Sequence, residues 1–311
     1  MTKRKVGMAV LLILCDIFIY VMAEPSIWIW AVFNLAGIWM VVKADQLLQM
    51  PVDIYKSRTL VWSLSKNDFK TRFAGSYFGI LWAFVQPIVT VAMYWFVFTK
   101  TGFRAAASTD GIPFVLTLIA GLVPWFVFSE AVTSGTNALM EYSYLVKKVV
   151  FQINILPVVK VISASFIHIF FLVVTIGICT VMGFGPTPYL LQILYYLCCM
   201  WIFIVAVVYA TSAIVLFFRD LGQIINIFMQ VFMWMTPIMW DDSAISEKWR
   251  WIFHLNPMYY VVNGYKESLL RHVWFWEHMN LTMYFWIVTG LLFLLGTGIF
   301  RRLQPHFADV L

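Results

Sequence analysis

The reading of this chain turns on LGQIINIFMQVFMWMTPIMW, residues 221–240, which opens directly after the charged pair Arg219-Asp220. The run is apolar enough to lie in a bilayer, yet it carries Gln223, Asn226 and Gln230. At ~100° per residue, Asp220, Gln223, Asn226, Gln230, Trp234 and Pro237 fall within roughly a third of a helix circumference. Hydrocarbon offers an amide no hydrogen-bond partner, so such a stripe must face protein or water. It either packs helices together or lines a pathway, and the alignment of all three amides favours the pathway. After Pro237 the charged DDSAISEKWRW (241–251) leads into FHLNPMYYVVNGYKESLLR (253–271). That piece is too polar and too short to span, and too aromatic to be a free loop. It reads as a re-entrant or interfacial hairpin at the outer face, broken at Asn256-Pro257, where proline lacks a donor and disfavours helix in the residue before it.

Composition points the same way. Of 311 residues, 62% are hydrophobic and 12% charged, about half the charged share of a soluble domain. Several runs reach the ~20 apolar residues that a bilayer core requires. The net charge of +6 is held in patches beside apolar runs, a pattern of membrane topology rather than of nucleic-acid binding. Cys15, Cys179, Cys198 and Cys199 all lie inside apolar segments, with neither metal spacing nor a disulfide framework.

Outward from the decisive stretch, the chain divides into residues 1–43, 44–74 and 75–311. Lys3-Arg4-Lys5 precede an apolar run to Ala23, Glu24-Pro25-Ser26 turns the chain, and a second run ends near Lys43. Bracketing positive charge makes this a transmembrane hairpin with both ends in the cytoplasm. A cleaved signal peptide ending at Val21-Met22-Ala23 is the competing reading, and Asp16 within the run argues against it. Residues 44–74 mix Lys56, Arg58, Lys66, Lys70 and Arg72 with Leu60, Trp62, Leu64 and Phe69, without a clean amphipathic face. A helix in the cytoplasmic interface is expected, with Lys66, Lys70 and Arg72 reaching lipid head groups, or simply a positive flank for the next span.

The third span is expected over about 75–99, with Gly75 and Gly79 as a small-xxx-small packing pair and Gln86-Pro87 at a kink. After an outer loop (101–111), the fourth (112–134) contains Glu130, which needs a partner. Then comes TNALMEYSYLVKKVVFQINILP, 136–157, where Asn137 is expected to cap a short helix running to Leu145. Spans five (153–183) and six (189–218) are joined by the tight turn FGPTP. Span seven carries the amide stripe outward, and span eight (281–300) ends at Arg301-Arg302, placing both termini in the cytoplasm.

Five segments together resemble the membrane subunit of ABC-2-type exporters, in particular permeases for lipid-linked polysaccharides such as teichoic acids, O-antigens and capsular chains. They are KNDFKTRFAGSYFGILWAFVQP (66–87), GLVPWFVFSEAVTSGTNALMEYSYLVKKVVF (121–151), the Arg219-Asp220 opening, LNPMYYVVNGYKESLL (255–270) and RRLQPHFADVL (301–311). The family pattern often has proline at Gln152 and arginine at Lys266. The resemblance implies an all-α membrane protein: a six-helix (type V) exporter core with an interfacial N-terminal helix and an outer re-entrant hairpin. The hairpin over 1–43 would be additional to it.

It also implies that Asn137, Glu141, Tyr142, Tyr144, Leu145 and Lys147 form a coupling helix docking on a separate ATPase subunit. Two copies of each subunit would assemble in the cytoplasmic membrane. ATP and Mg would be bound by the ATPase, since this chain has no G-x-x-x-x-G-K-[ST] phosphate loop and holds no cofactor of its own. The polymer would pass Trp82, Gln86, Tyr94, Trp125, Gln223, Asn226, Gln230 and Trp234, amides meeting sugar hydroxyls and aromatic faces meeting apolar sugar surfaces. Export of a small lipid or drug is the alternative within the family. Outside it, a membrane glycosyl- or phosphotransferase would have to use Asp241-Asp242 with His254, and a secondary transporter would need broken helices in both halves.

Overall fold

The computed structural model describes residues 2–22, 26–100, 111–147, 152–241 and 245–310. The Glu24-Pro25 turn, the Ala23 cleavage position, most of the outer loop (101–110), Lys148 and Asp242 lie outside these. The described residues are helical almost throughout and include no strand. Six segments among them are long and apolar enough to cross a bilayer: Lys3–Met22, Gly79–Val97, Phe114–Thr136, Ile153–Val181, Pro188–Val215 and Phe275–Val310. A seventh candidate, Ile27–Val42 with Ala44–Lys56, is bent by 69°. The chain is a multi-pass membrane protein.

The N-terminal helices are α1 (Lys3–Met22), α2 (Ile27–Val42), α3 (Ala44–Lys56) and α4 (Arg58–Arg72). They are followed by α5 (Trp82–Lys100), α6 (Phe114–Thr136), the short α7 (Ala138–Glu141) and α8 (Ser143–Val146), α9 (Leu156–Val181) and α10 (Gln192–Val215). The last are α11 (Leu221–Met235), α12 (Glu247–His254), α13 (Pro257–Lys266), α14 (Met279–Leu303) and α15 (Phe307–Val310). A π-helical turn, Glu267–Arg271, continues α13.

Helix α6 is the central post. It packs against α5, α9, α10, α11 and α13, and fifteen of its residues are buried, spread around the whole circumference. In lipid such packing is driven by close van der Waals fit. At Gly121 the backbone of the 236–240 segment comes so near that an added Cβ would lie 3.1 Å from the Ile238 Cα. On the far side of α10 lies α14, and beyond it α2 and α1. The N-terminal hairpin and the α5/α11 surface therefore sit on opposite flanks.

Asp16, alone in an apolar helix, accepts from Trp30 Nε1 (3.2 Å) and Asn34 Nδ2 (3.1 Å) and so ties α1 to α2. The hairpin is anchored on the body at both ends. Ser26 N donates to Asn280 Oδ1 at 3.0 Å, Phe18 stacks on Phe275, and Asp45 holds Thr2 and Lys5.

Three expectations need correction. Gly75 and Gly79 are not a helix-packing pair: both adopt left-handed backbone (φ 86° and 52°) in the turn before α5, and an added Cβ would meet nothing within 4 Å. They serve the turn, where a side chain would be strained. The seventh span is only fifteen residues long, about 22 Å at 1.5 Å per residue, short of the ~30 Å hydrocarbon core. The 44–74 stretch is two helices rather than one. Its amphipathic face was obscured because α4 buries Ser65 and Asp68 beside Val61, polar groups on the side that reads as apolar elsewhere.

Candidate functional site

Three polar assemblies sit on this frame. The first is at the end of the bundle that carries Lys43, Arg58, Lys147 and Arg301, hereafter the basic end. Lys160, buried one turn into α9, donates to Asp68 Oδ1 of α4 at 2.6 Å and also to Glu141 of α7. Tyr142 Oη donates to the same Asp68 oxygen at 2.7 Å. Arg72 approaches the other Asp68 oxygen at 4.0 Å and pairs with Glu130 of α6, giving that carboxylate its partner. Burial alone would raise the Asp68 pKa. The hydrogen bonds from Lys160 and Tyr142, with the charge of Lys160, overrule it and hold the carboxyl below its ordinary value. The network binds four helices through charges that would be costly if unpaired.

The segment expected to couple to a partner lies directly over this network. It is two short helices rather than one, interrupted at Tyr142. Asn137 does not cap it: the Asn137 Nδ2 instead donates back to Thr133 O at 3.1 Å. Leu139, Tyr142 and Val146 are buried, Leu145 is half-buried, and Glu141, Tyr144 and Lys147 are exposed at spacings of three, which presents them on one side. Asn137 also abuts the start of α11, its Oδ1 3.7 Å from where a Gly222 Cβ would lie.

The second assembly is the amide stripe. No residue of α11 is buried, and Gln223, Asn226, Gln230 and Trp234 are all exposed on the protomer. Gln86 and Trp82 of α5 are exposed as well, on the other helix that flanks α6. Tyr94 is half-buried and packs on the core, whereas Trp125 is buried inside it against Phe128, centroids 5.5 Å apart. The expected pathway residues thus divide: six lie on the exposed flank, Tyr94 at its edge and Trp125 within the core. Pro237, expected on the stripe, is buried in the turn after α11.

The third assembly is at the opposite end. Asn256 caps α13 by accepting from Met258 N at 3.0 Å, and its Nδ2 donates to Thr236 Oγ1 at 2.8 Å; Pro257 occupies the first helical position, where a missing N–H costs nothing. Helix α13 and its π turn are buried almost completely. Lys266, 1% exposed, donates to Trp240 O (3.2 Å) and Asp241 Oδ1 (3.3 Å), while Arg271 takes Asp241 Oδ2 at 2.8 Å. Glu267 accepts from Asn263 at 2.6 Å and meets His278 Nε2 at 3.0 Å. Asp241 is therefore a buried structural anion held by two cations, not a solvated loop acid or a free catalytic one. Among the described residues no three His, Cys, Asp or Glu side chains come together where a metal ion could be held.

Lys160 and Asp68 are the residues that sequence reasoning missed. A lone lysine in the apolar VVKVIS run was the available signal, since an ionisable group inside such a segment demands a partner. That partner stands 92 residues away.

A bundle built around a buried post, with six segments among the described residues apolar and long enough to cross a bilayer, is the frame of a multi-pass membrane protein. Residues 59–270 match the model of the ABC-2 type transporter membrane family, and the chain belongs to that family. It is similar to an O-antigen export system permease protein RfbA from Klebsiella pneumoniae, 27% identical over 250 residues, covering 80% of this chain and 93% of that protein. A protein of the same name from Myxococcus xanthus is 27% identical over 233 residues, covering 73% of this chain and 86% of its own length.

Proposed function

We propose that this chain is the permease of an ATP-driven exporter of lipid-linked polysaccharide in the cytoplasmic membrane, of the O-antigen or teichoic acid kind. The basic end is then cytoplasmic. One observation carries the reading: three amides aligned on an exposed face of a membrane helix, without a partner among the described residues to absorb them. In a second copy of the chain, related by two-fold symmetry, that face and the α5 face would meet across a shared space. Sugar hydroxyls entering it find Gln86, Gln223, Asn226 and Gln230, and the indoles of Trp82 and Trp234 offer flat apolar surfaces.

Glu141, Tyr144 and Lys147 form the surface that a cytoplasmic ATPase would grip, with ATP and Mg bound there. A push on α7 travels two ways, through Lys160 into α9 and through Asn137 to the start of α11, so nucleotide-driven closure would tilt the amide-bearing helix. Lys66 and Lys70 remain exposed on α4 at the cytoplasmic surface, just before α5 in the chain, where each basic residue attracts anionic head groups by ~1 kcal/mol. Arg72 is committed to Glu130 and Asp68 and contributes through the network.

The test is accessibility. Single cysteines at Asn226 and Gln230, in a background without the four native ones, are exposed to a water-soluble thiol reagent in vesicles holding the permease with its ATPase. Labelling that rises with ATP and lipid-linked substrate is the expected result. Absence of labelling in every state of an active exporter would return the stripe to helix packing.

A further inference from the structure

Between the N-terminal hairpin and the body runs a cavity of 840 Å³, at the upper end of the ~300–1,000 Å³ range of ligand sites. Its walls come from α1, α2, α3, α10 and α14, and almost every lining side chain is apolar. On α14 it runs from Met279 to Phe293, about 21 Å at 1.5 Å per residue, longer than the ~15 Å depth of one leaflet's hydrocarbon. The void is not a failure of the hairpin to dock. Close contacts hold the three helices together at the same level, an added Cβ on Gly290 meeting Met40 at 1.9 Å and one on Gly37 meeting Leu12 at 2.4 Å. Thr289, 1% exposed, lines the cavity with a hydroxyl that has no hydrogen-bond partner among the described residues.

At its basic end the trough abuts a second cavity of 530 Å³, the two sharing Pro51, Ile202 and Phe293 as walls. This one is bordered by Arg58, an exposed guanidinium stacked on Tyr55 at 4.9 Å, with no carboxylate in any ion pair described for it. Trp201 also lines it, and its buried indole N–H has no acceptor among the described residues, although buried indoles ordinarily find one. The arrangement therefore offers two apolar channels, an unused N–H donor beside one of them and a cation at the mouth. A glycerophospholipid has the matching parts: two chains, ester carbonyls and a phosphate.

We propose that a resident anionic phospholipid occupies this paired cavity, its chains in the two channels, an ester carbonyl on Trp201 Nε1 and its phosphate on Arg58. The site lies across α10 and α6 from the α5/α11 face, so the lipid is a fixed component and not the cargo in transit. It fills the space that the hairpin encloses and joins it to the rest of the molecule.

The test uses the full-length chain in nanodiscs of phosphatidylcholine containing a tenth part of phosphatidylglycerol with a photoactivatable acyl chain. Crosslinks to peptides of α1, α2 and α14 should exceed those to the exposed side of α5 by at least fivefold. Ala36→Phe, which fills the trough, should abolish that excess. Arg58→Gln, a surface change that leaves the fold alone, should lower it about fivefold, the loss of one basic contact with an anionic head group. Even labelling of every lipid-facing helix overturns the proposal, and so does an excess unchanged in both variants. Preferential labelling by a photoactivatable polyprenyl phosphate added in competition overturns it as well, by making the site a cargo site. Because the readout is lipid binding and not export, it stands or falls separately from the accessibility of α11.

Discussion

Helices α11 and α13 lie on either side of α12 in the chain and both pack on α6, yet they treat polar groups in opposite ways. Every charged group on α13 and its π turn has a partner within the molecule: Lys266 and Arg271 on Asp241, Glu267 on Asn263 and His278. On α11 the three amides are exposed on the protomer and carry no hydrogen bond to another described residue. Pairing inside the protomer marks residues that hold the shape. Under the proposed function, the polar groups left open on α11 meet a partner that arrives from outside the protomer. The same number of polar side chains therefore predicts stability loss in one helix and functional loss in the other.

The sharpest way to break this contrast is Asp241→Asn. It leaves the buried Lys266 without its counter-charge, and breaking a buried pair in this way costs about 3–5 kcal/mol. Denaturation in mild detergent should show the largest drop in midpoint of any variant named here. An unchanged midpoint would mean that α13 is not held by its charges.

Asp68→Asn should cost about 2–3 kcal/mol, less than the ~3–5 of a fully broken buried pair because Lys160 keeps Glu141. This pair also carries a pH signature. The Asp68 pKa is lowered in the fold from its ordinary 3.8, so its contribution is complete above that value and is lost as pH falls through the depressed one. The difference in thermal stability between wild type and variant should be constant from pH 8 to about 4 and shrink only in stronger acid. A difference that vanishes near neutrality would contradict the ion pair.

Asn256→Ala should cost about 1–2 kcal/mol through loss of the α13 cap and of the Thr236 contact, with export reduced in proportion to folded protein. Smallest in stability and largest in meaning is the triple change of Gln223, Asn226 and Gln230 to Leu. An exposed stripe should give a shift within ~0.5 kcal/mol together with lost polymer export. Interhelical bonds of ~0.6 kcal/mol each would instead sum to a measurable loss with export retained, and the comparison between α11 and α13 would then fail.

Most of the spans were legible because bilayer thickness imposes length and composition on them, and the break between α12 and α13 because proline at 257 disfavours helix in the residue before it. The ionic cores were not. Asp68 meets Lys160 across 92 residues, and no spacing rule links positions on helices that meet only after folding. Gly75 and Gly79 show the converse error: a separation of four suits helix packing, but the same glycines also permit two left-handed turns, and the sequence does not distinguish the uses. Asn137 had the composition of a cap and became an internal donor because its backbone between α6 and α7 stays in the right-handed helical region (φ −85°, ψ 0°) instead of the extended conformation a cap adopts. Trp125, grouped with the pathway aromatics, points into the core for a reason visible only in three dimensions: α6 has neighbours on every side.

That enclosure of α6 has a consequence for how the protein is made. Of the helices that surround it, only α5 precedes it in the chain; α9, α10, α11 and α13 are all synthesised later. Segment Phe114–Thr136 is apolar enough to leave the translocation machinery for lipid by itself, so it waits there with its buried face bathed in acyl chains. Each later helix displaces lipid from one side of it, and α13, which brings Lys266 against Gly121, closes the last. Nascent chains arrested before residue 257 should therefore insert yet remain sensitive to membrane quality-control proteases, and resistance should appear only once α13 has emerged.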